Sequence, residues 1–146
     1  MPEYPSLSPQ VIGQAEKTLN AFLDRLLAGT GLTEPLWVTL ALTAATGPID
    51  HDELVGRVAG AVAVTRAEAQ ARVAALAAAG LLQVADGEGA LVKLTDAGHQ
   101  THGQVRARVA EITKRLWGDL PAEDLATAGH VLSIVAERGR AELARA

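Results

Sequence analysis

The sequence predicts a mainly α-helical chain that carries one small β-hairpin past its middle. Three observations predict it. Ala, Leu and Val supply most of a composition that is 49% hydrophobic and only 3% aromatic, so good helix formers dominate. Apolar residues recur at spacings of three and four along most of the chain, the period of a helix with one buried face. A single cluster of turn residues, Asp86-Gly87-Glu88-Gly89, separates two short apolar runs, which marks a hairpin.

Taken in order, Ser8 caps a first helix with Pro9 at the position that tolerates proline, and Ile12, Ala15, Leu19, Phe22 and Leu26 form its stripe. Gly29-Thr30-Gly31 stops it, and Thr33 caps a second helix with Pro35 in its first turn and Leu36, Trp37, Leu40 and Ala41 on its apolar side. Gly47-Pro48 ends that helix. Asp50 stands three residues before Glu53, the spacing at which cap and glutamate satisfy each other's amides, and opens a short third helix through Ala59. Gly60 to Val64 reads as a connection. Thr65 and Glu68 repeat the capping device and open a fourth helix to Ala79, stopped by Gly80. Leu81 to Val84 and Ala90 to Leu94 are the two strands of the hairpin. Thr95 caps a fifth helix over 96–118, and Pro121 opens a sixth whose Leu125, Ala128, Leu132, Val135, Gly139 and Leu143 keep heptad spacing.

With 146 residues the chain has the size of one domain. It contains no run of about 18 apolar residues, and Met1 to Gln10 lack the pattern of a signal peptide, so a cytoplasmic protein without membrane contact is expected. Zero cysteines exclude disulfides, thiolate zinc sites and thiol redox switches. A net charge of −4 argues against a surface that holds nucleic acid by charge alone, and leaves room for a local basic patch.

Three helices followed by a hairpin is the winged helix-turn-helix plan, in which the third helix is offered to the major groove and the hairpin lies beside it. Residues 36–95 fit this domain, with residues 1–35 and 96–146 supplying flanking helices. Those flanking stripes hold more apolar surface than the middle of the chain can cover, which points to a homodimer; the alternative is that they close over the core of a monomer. Leu76-Ala77-Ala78-Ala79-Gly80-Leu81, closing the fourth helix, and Leu94-Thr95-Asp96-Ala97-Gly98, leaving the wing, resemble the corresponding segments of the MarR family of bacterial regulators, especially its actinobacterial forms. The resemblance spans nearly the whole chain. It implies a homodimeric repressor that binds double-stranded DNA at a pseudo-palindromic operator and is released by a small aromatic effector held between dimer helices and winged domain. No cofactor is implied.

On the fourth helix, stepping 100° per residue buries Ala69, Val73 and Leu76 and turns Ala67, Ala71, Ala74, Ala75 and Ala78 outward. Alanine has nothing for a base edge beyond contact with a thymine methyl, so direct readout from the helix centre is thin. Arg66 and Gln70 are the best candidates for base or phosphate contact, with Thr65, Arg72, Arg57 and Lys93 completing the set. Capping explains Thr65 and Glu68 as well, and a salt bridge is an equal reading of Arg72. The wing departs from the family, which commonly carries an arginine there; this tip presents Asp86 and Glu88. From Leu36 to Thr95, four Lys and Arg face six Asp and Glu, so weak and strongly salt-sensitive DNA binding is expected.

Trp37, on the helix that bridges stalk and winged domain, lies where the family's effector pocket would be and is the first ligand-binding candidate, with His51 the second. Trp117 is assigned to the dimer interface. His99 and His102, spaced i and i+3, could share a metal with help from His51 and Asp52, although a solvated pair explains them as well. No nucleophile, acid–base set or phosphate loop stands in a catalytic order, so an enzyme is not expected. The rival to a ligand-responsive repressor is a winged-helix dimer whose DNA contact has degenerated, serving as a ligand-binding or protein-interaction module.

Overall fold

A computed structural model describes residues 5–87 and 89–145. Its elements run α1 (Pro9–Leu27), α2 (Glu34–Thr46), β1 (Ile49–Asp50), α3 (His51–Val62), α4 (Arg66–Ala78), β2 (Leu82–Val84), β3 (Leu91–Leu94), α5 (Asp96–Trp117) and α6 (Ala122–Ala144). The six expected helices are present. No helix among the described residues is long and apolar enough to cross a membrane.

Most helices begin where a side chain can receive the unpaired amides of a first turn. The Ser8 hydroxyl accepts from the Val11 amide at 3.2 Å and starts α1. At α4 the capping box is complete: Glu68 donates its amide to the Thr65 hydroxyl, the Glu68 carboxylate accepts from the Thr65 amide, and both distances are 3.1 Å. At α3 the expected reciprocity is only half realised. Asp50 accepts from the Glu53 amide at 3.1 Å, while the Glu53 carboxylate pairs with Arg57 at 3.0 Å instead of turning back. Thr33 holds the N-cap position of α2 without a side-chain bond, and Pro35 in the first turn removes one amide that would need it.

Two features differ from expectation by more than one residue. Helix α3 continues to Val62, past Ala59, because Ala61 and Val62 are as compatible with helix as with a connection; Ala63 then takes a left-handed φ of 54° and ends it. The hairpin is also part of a three-stranded sheet ordered β1-β3-β2, in which its β3 is the central strand. In it Ile49 pairs with Val92 and Asp50 with Leu91, while Leu82 pairs with Leu94 and Val84 with Val92, all antiparallel. A two-residue strand that doubles as a helix cap leaves no periodic trace in the sequence.

The core lies within the winged domain. Leu40 of α2, Leu54, Val55 and Val58 of α3, Ala69, Val73 and Leu76 of α4, and Ile49, Leu82, Val92 and Leu94 of the sheet are buried together. Thr39 and Thr43 are also buried, and each hydroxyl donates to the carbonyl one turn earlier, Pro35 at 2.9 Å and Thr39 at 2.8 Å. Leu27 of α1 and Val105 of α5 attach the flanking helices to this core. Helix α6 buries none of its described residues; Leu132, Val135 and Leu143 are 43%, 44% and 67% exposed.

One joint ties α4, the sheet and α5 together. The Thr95 hydroxyl accepts from the Gly98 amide at 3.0 Å and donates to the Gly80 carbonyl at 2.6 Å, and the Thr95 amide donates to the Leu81 carbonyl at 3.1 Å. Gly98 is buried against that same carbonyl, where a Cβ would collide with the oxygen. The two segments that carry the family resemblance, Leu76 to Leu81 and Leu94 to Gly98, are therefore joined at Gly80, Leu81, Thr95 and Gly98. Gly98→Ala is expected to destabilise the chain by about 3 kcal/mol through overpacking, and Thr95→Val by about 1 to 2 kcal/mol through the lost cap and hydrogen bond. Urea unfolding checks both, with Gly103→Ala, in open space on the same helix and expected to stabilise by about 0.5 to 1 kcal/mol, as the comparison.

Candidate ligand pocket and nucleic-acid interface

Helix α4 presents the two faces its period demands. Ala69, Val73 and Leu76 are buried, and Ala67, Ala71, Ala74, Ala75 and Ala78 are exposed opposite them. The outward face is therefore apolar and flat, with no donor or acceptor along its centre.

Several of the polar candidates around this face are already engaged. Thr65 and Glu68 close the capping box. Arg66 turns back onto α3: one guanidinium nitrogen donates to the Asp52 carbonyl at 3.4 Å, and the other lies 3.3 Å from where a Cβ on Gly56 would stand. Arg57 is held by Glu53 on its own helix. Gln70 and Lys93 are exposed, Arg72 is half-buried, and none of the three makes a side-chain hydrogen bond or ion pair among the described residues. The salt bridge considered for Arg72 is thus not formed within the described chain. At the wing tip, Asp86 is exposed and Gly87 and Gly89 take φ of 98° and 68°, a backbone that other residues rarely adopt; Glu88 lies outside the described residues.

A cavity of about 240 Å³ opens between α1, α2 and α5. Its walls are Leu19, Asn20, Phe22, Leu23 and Leu26 from α1, Trp37 from α2, and Val109, Ile112, Thr113 and Trp117 from α5. Phe22, Trp37 and Trp117 are three of the four aromatic residues in the whole sequence. Three helices distant in sequence bring them to one place. Trp117, expected at a dimer interface, lines the cavity together with Trp37 and is still 37% exposed. Asn20 and Thr113 are the polar members of the lining, and sequence reasoning did not single them out; nothing in the periodic pattern separates them from other half-buried helix positions.

Trp37 also stacks on His102, with ring centroids 5.4 Å apart and planes 22° from parallel. Burial, and then the positive charge of Arg106 and of His99, push the His102 pKa below its ordinary value of 6.5. The stack joins α2, which leads into the winged domain, to α5, which leads away from it. His51 lies elsewhere. It borders a polar depression between the start of α3 and the wing, beside Asp50 and Gly87, with Nδ1 3.6 Å from the Asp52 carboxylate. The two ligand candidates from sequence, Trp37 and His51, thus belong to different places. His99 is exposed, and no group of three or more metal-ligating side chains forms among the described residues.

No family model matches this sequence, and no curated protein is similar enough in sequence to count as a relative. Solved structures do match. A MarR-family transcriptional regulator from a Rhodococcus species superposes with a TM-score of 0.74 at 16% identity, over 90% of this chain and 98% of that one. NadR in complex with 4-hydroxyphenylacetate gives 0.74 at 21% identity, over 93% and 98%. CouR from Rhodococcus jostii, bound to p-coumaroyl-CoA, gives 0.76 at 18% identity, over 86% and 89%. The chain therefore has the winged-helix fold of the MarR-type regulators.

Because the folded chain resists protonating His102, it binds fewer protons there than the unfolded chain does. This contribution to stability is complete above pH 6.5 and is lost as the pH falls through the folded value. His102→Phe keeps a ring on Trp37 and removes the titration. Its stability is expected to decline less between about pH 7 and pH 5 than that of the unsubstituted chain, as thermal melts at each pH would show.

Proposed function

We propose that this protein is a cytoplasmic, homodimeric transcriptional regulator that represses from a pseudo-palindromic operator and is released by a small aromatic molecule bound between α1, α2 and α5. The observation that carries this reading is the convergence of Phe22, Trp37 and Trp117 on one cavity, in a chain with almost no other aromatic residues. Aromatic walls favour an aromatic guest through stacking and edge contacts. The cavity sits where α2 enters the winged domain, so a guest that moves Trp37 moves the helix feeding the reading element. NadR with 4-hydroxyphenylacetate and CouR with p-coumaroyl-CoA share this fold and were solved with molecules that contain an aromatic ring, which supports the same class here.

Dimerisation is supported by what one chain leaves uncovered. Leu7 and Leu19 near α1, Leu116 and Leu120 at the end of α5, and Leu132, Val135 and Leu143 on α6 are all at least 38% exposed. A second copy would bury these residues and bring two α4 helices to one duplex.

A second reading has its own support. The alanine face of α4, Arg57 and Arg66 tied to α3, and the acidic balance of the winged domain leave Gln70, Arg72 and Lys93 to meet DNA. On that reading the chain is a ligand-binding or protein-interaction module with a degenerate DNA contact. Competition against non-specific DNA in an anisotropy titration separates the two. The regulator reading expects weak, selective binding that strengthens as salt is lowered. Loss of all DNA binding at low salt, with the dimer and the ligand site intact, favours the module.

Within the regulator reading Gln70→Ala is expected to weaken specific binding roughly tenfold or more, the value of one good base contact of about 1 to 3 kcal/mol. Arg66→Ala is expected to lower stability more than specificity. Leu132→Glu with Val135→Glu is expected to leave a folded monomer, read by sedimentation.

A further inference from the structure

We propose that the α1–α2–α5 cavity selects uncharged aromatic molecules and rejects aryl carboxylates. The inference rests on reading that cavity as the effector site, and adds the charge of what enters it. None of its lining side chains is ionisable. On α5, Arg106 and Lys114 are exposed and outside the lining, His102 stacks on Trp37 without joining the lining, and Arg108 donates to the Leu26 carbonyl at the end of α1 at 3.2 Å. Burial and the neighbouring Arg106 also keep the His102 ring neutral at neutral pH, so it supplies no charge through the stack. A carboxylate moved from water into such a place loses its hydration and gains no counter-ion.

The polar groups that remain suit a neutral guest with one hydrogen-bonding function. The Thr113 hydroxyl donates to the Ala110 carbonyl at 3.1 Å, which leaves it only as an acceptor toward the cavity. Asn20 brings an amide able both to donate and to accept. A phenol hydroxyl or a ring N–H satisfies Thr113, and a ring stacks or packs edge-on against Phe22, Trp37 and Trp117. At about 240 Å³ the cavity holds one or two rings.

The test compares 4-hydroxyphenylacetate with its uncharged amide, 4-hydroxyphenylacetamide, on the full chain at pH 8, where the acid is ionised. Calorimetry gives affinity, and quenching of the two tryptophans, both in the cavity wall, reports the place. The amide is expected to bind at least tenfold tighter than the acid. Equal or tighter binding of the acid overturns the charge selection and leaves the effector-site reading standing. Binding of neither, with no quenching, overturns both. Asn20→Arg, checked for an unchanged melting temperature, is expected to raise affinity for the acid at least tenfold without improving the amide; failure of a folded variant to do so also counts against the proposal.

Discussion

The fold turns on how closely the first turn of α5 approaches the backbone of Leu81. Only a residue without a Cβ fits at Gly98, and the Thr95 side chain at the same place caps α5 while bonding back to the last turn beyond α4. That contact sets the exit of α5 from the sheet. The direction of α5 in turn decides where Val109, Ile112 and Trp117 meet α1, and whether His102 can reach Trp37. A geometry this tight is stiff, since packed interiors resist small displacements, so the winged domain and the base of α5 move together.

The cavity lies just beyond this stiff joint, where packing is looser. Its walls come from three helices and include side chains that remain partly exposed, such as Leu19 and Trp117. Trp37 has two roles there. One side of its surroundings is the apolar cavity, and its ring stacks on a histidine whose protonation is opposed by burial and by Arg106. Anything that displaces the indole disturbs the α2–α5 contact, and α2 is packed against α4 within the core. A displacement of the indole would therefore reach α4 through α2.

On the surface of the winged domain, contacts within the fold occupy several of the polar side chains around α4. Thr65 and Glu68 start α4, Arg66 fastens α4 to α3, and Arg57 stays with Glu53. Each of these local contacts removes a group that could otherwise meet a phosphate or a base. With alanine along the outward face, any recognition by α4 rests on its flank at Gln70 and on DNA shape and deformability.

By itself the sequence determined the helices, their caps and the two faces of α4, because periodicity and capping are local and act over three or four residues. The alanine face is fully legible from residue numbers alone. The sequence also held both halves of the Thr95–Gly98 joint, as two short motifs with no sign that they touch. Only the tertiary structure decided that β1 completes the sheet, since a two-residue strand has no period of its own and depends on β3 for its partners. It alone turned Arg66 toward Asp52, separated His51 from Trp37, and placed Trp117 in the cavity wall with Phe22 and Trp37. Those outcomes depend on how helices far apart in sequence cross, and the spacing within any one helix carries no information about that.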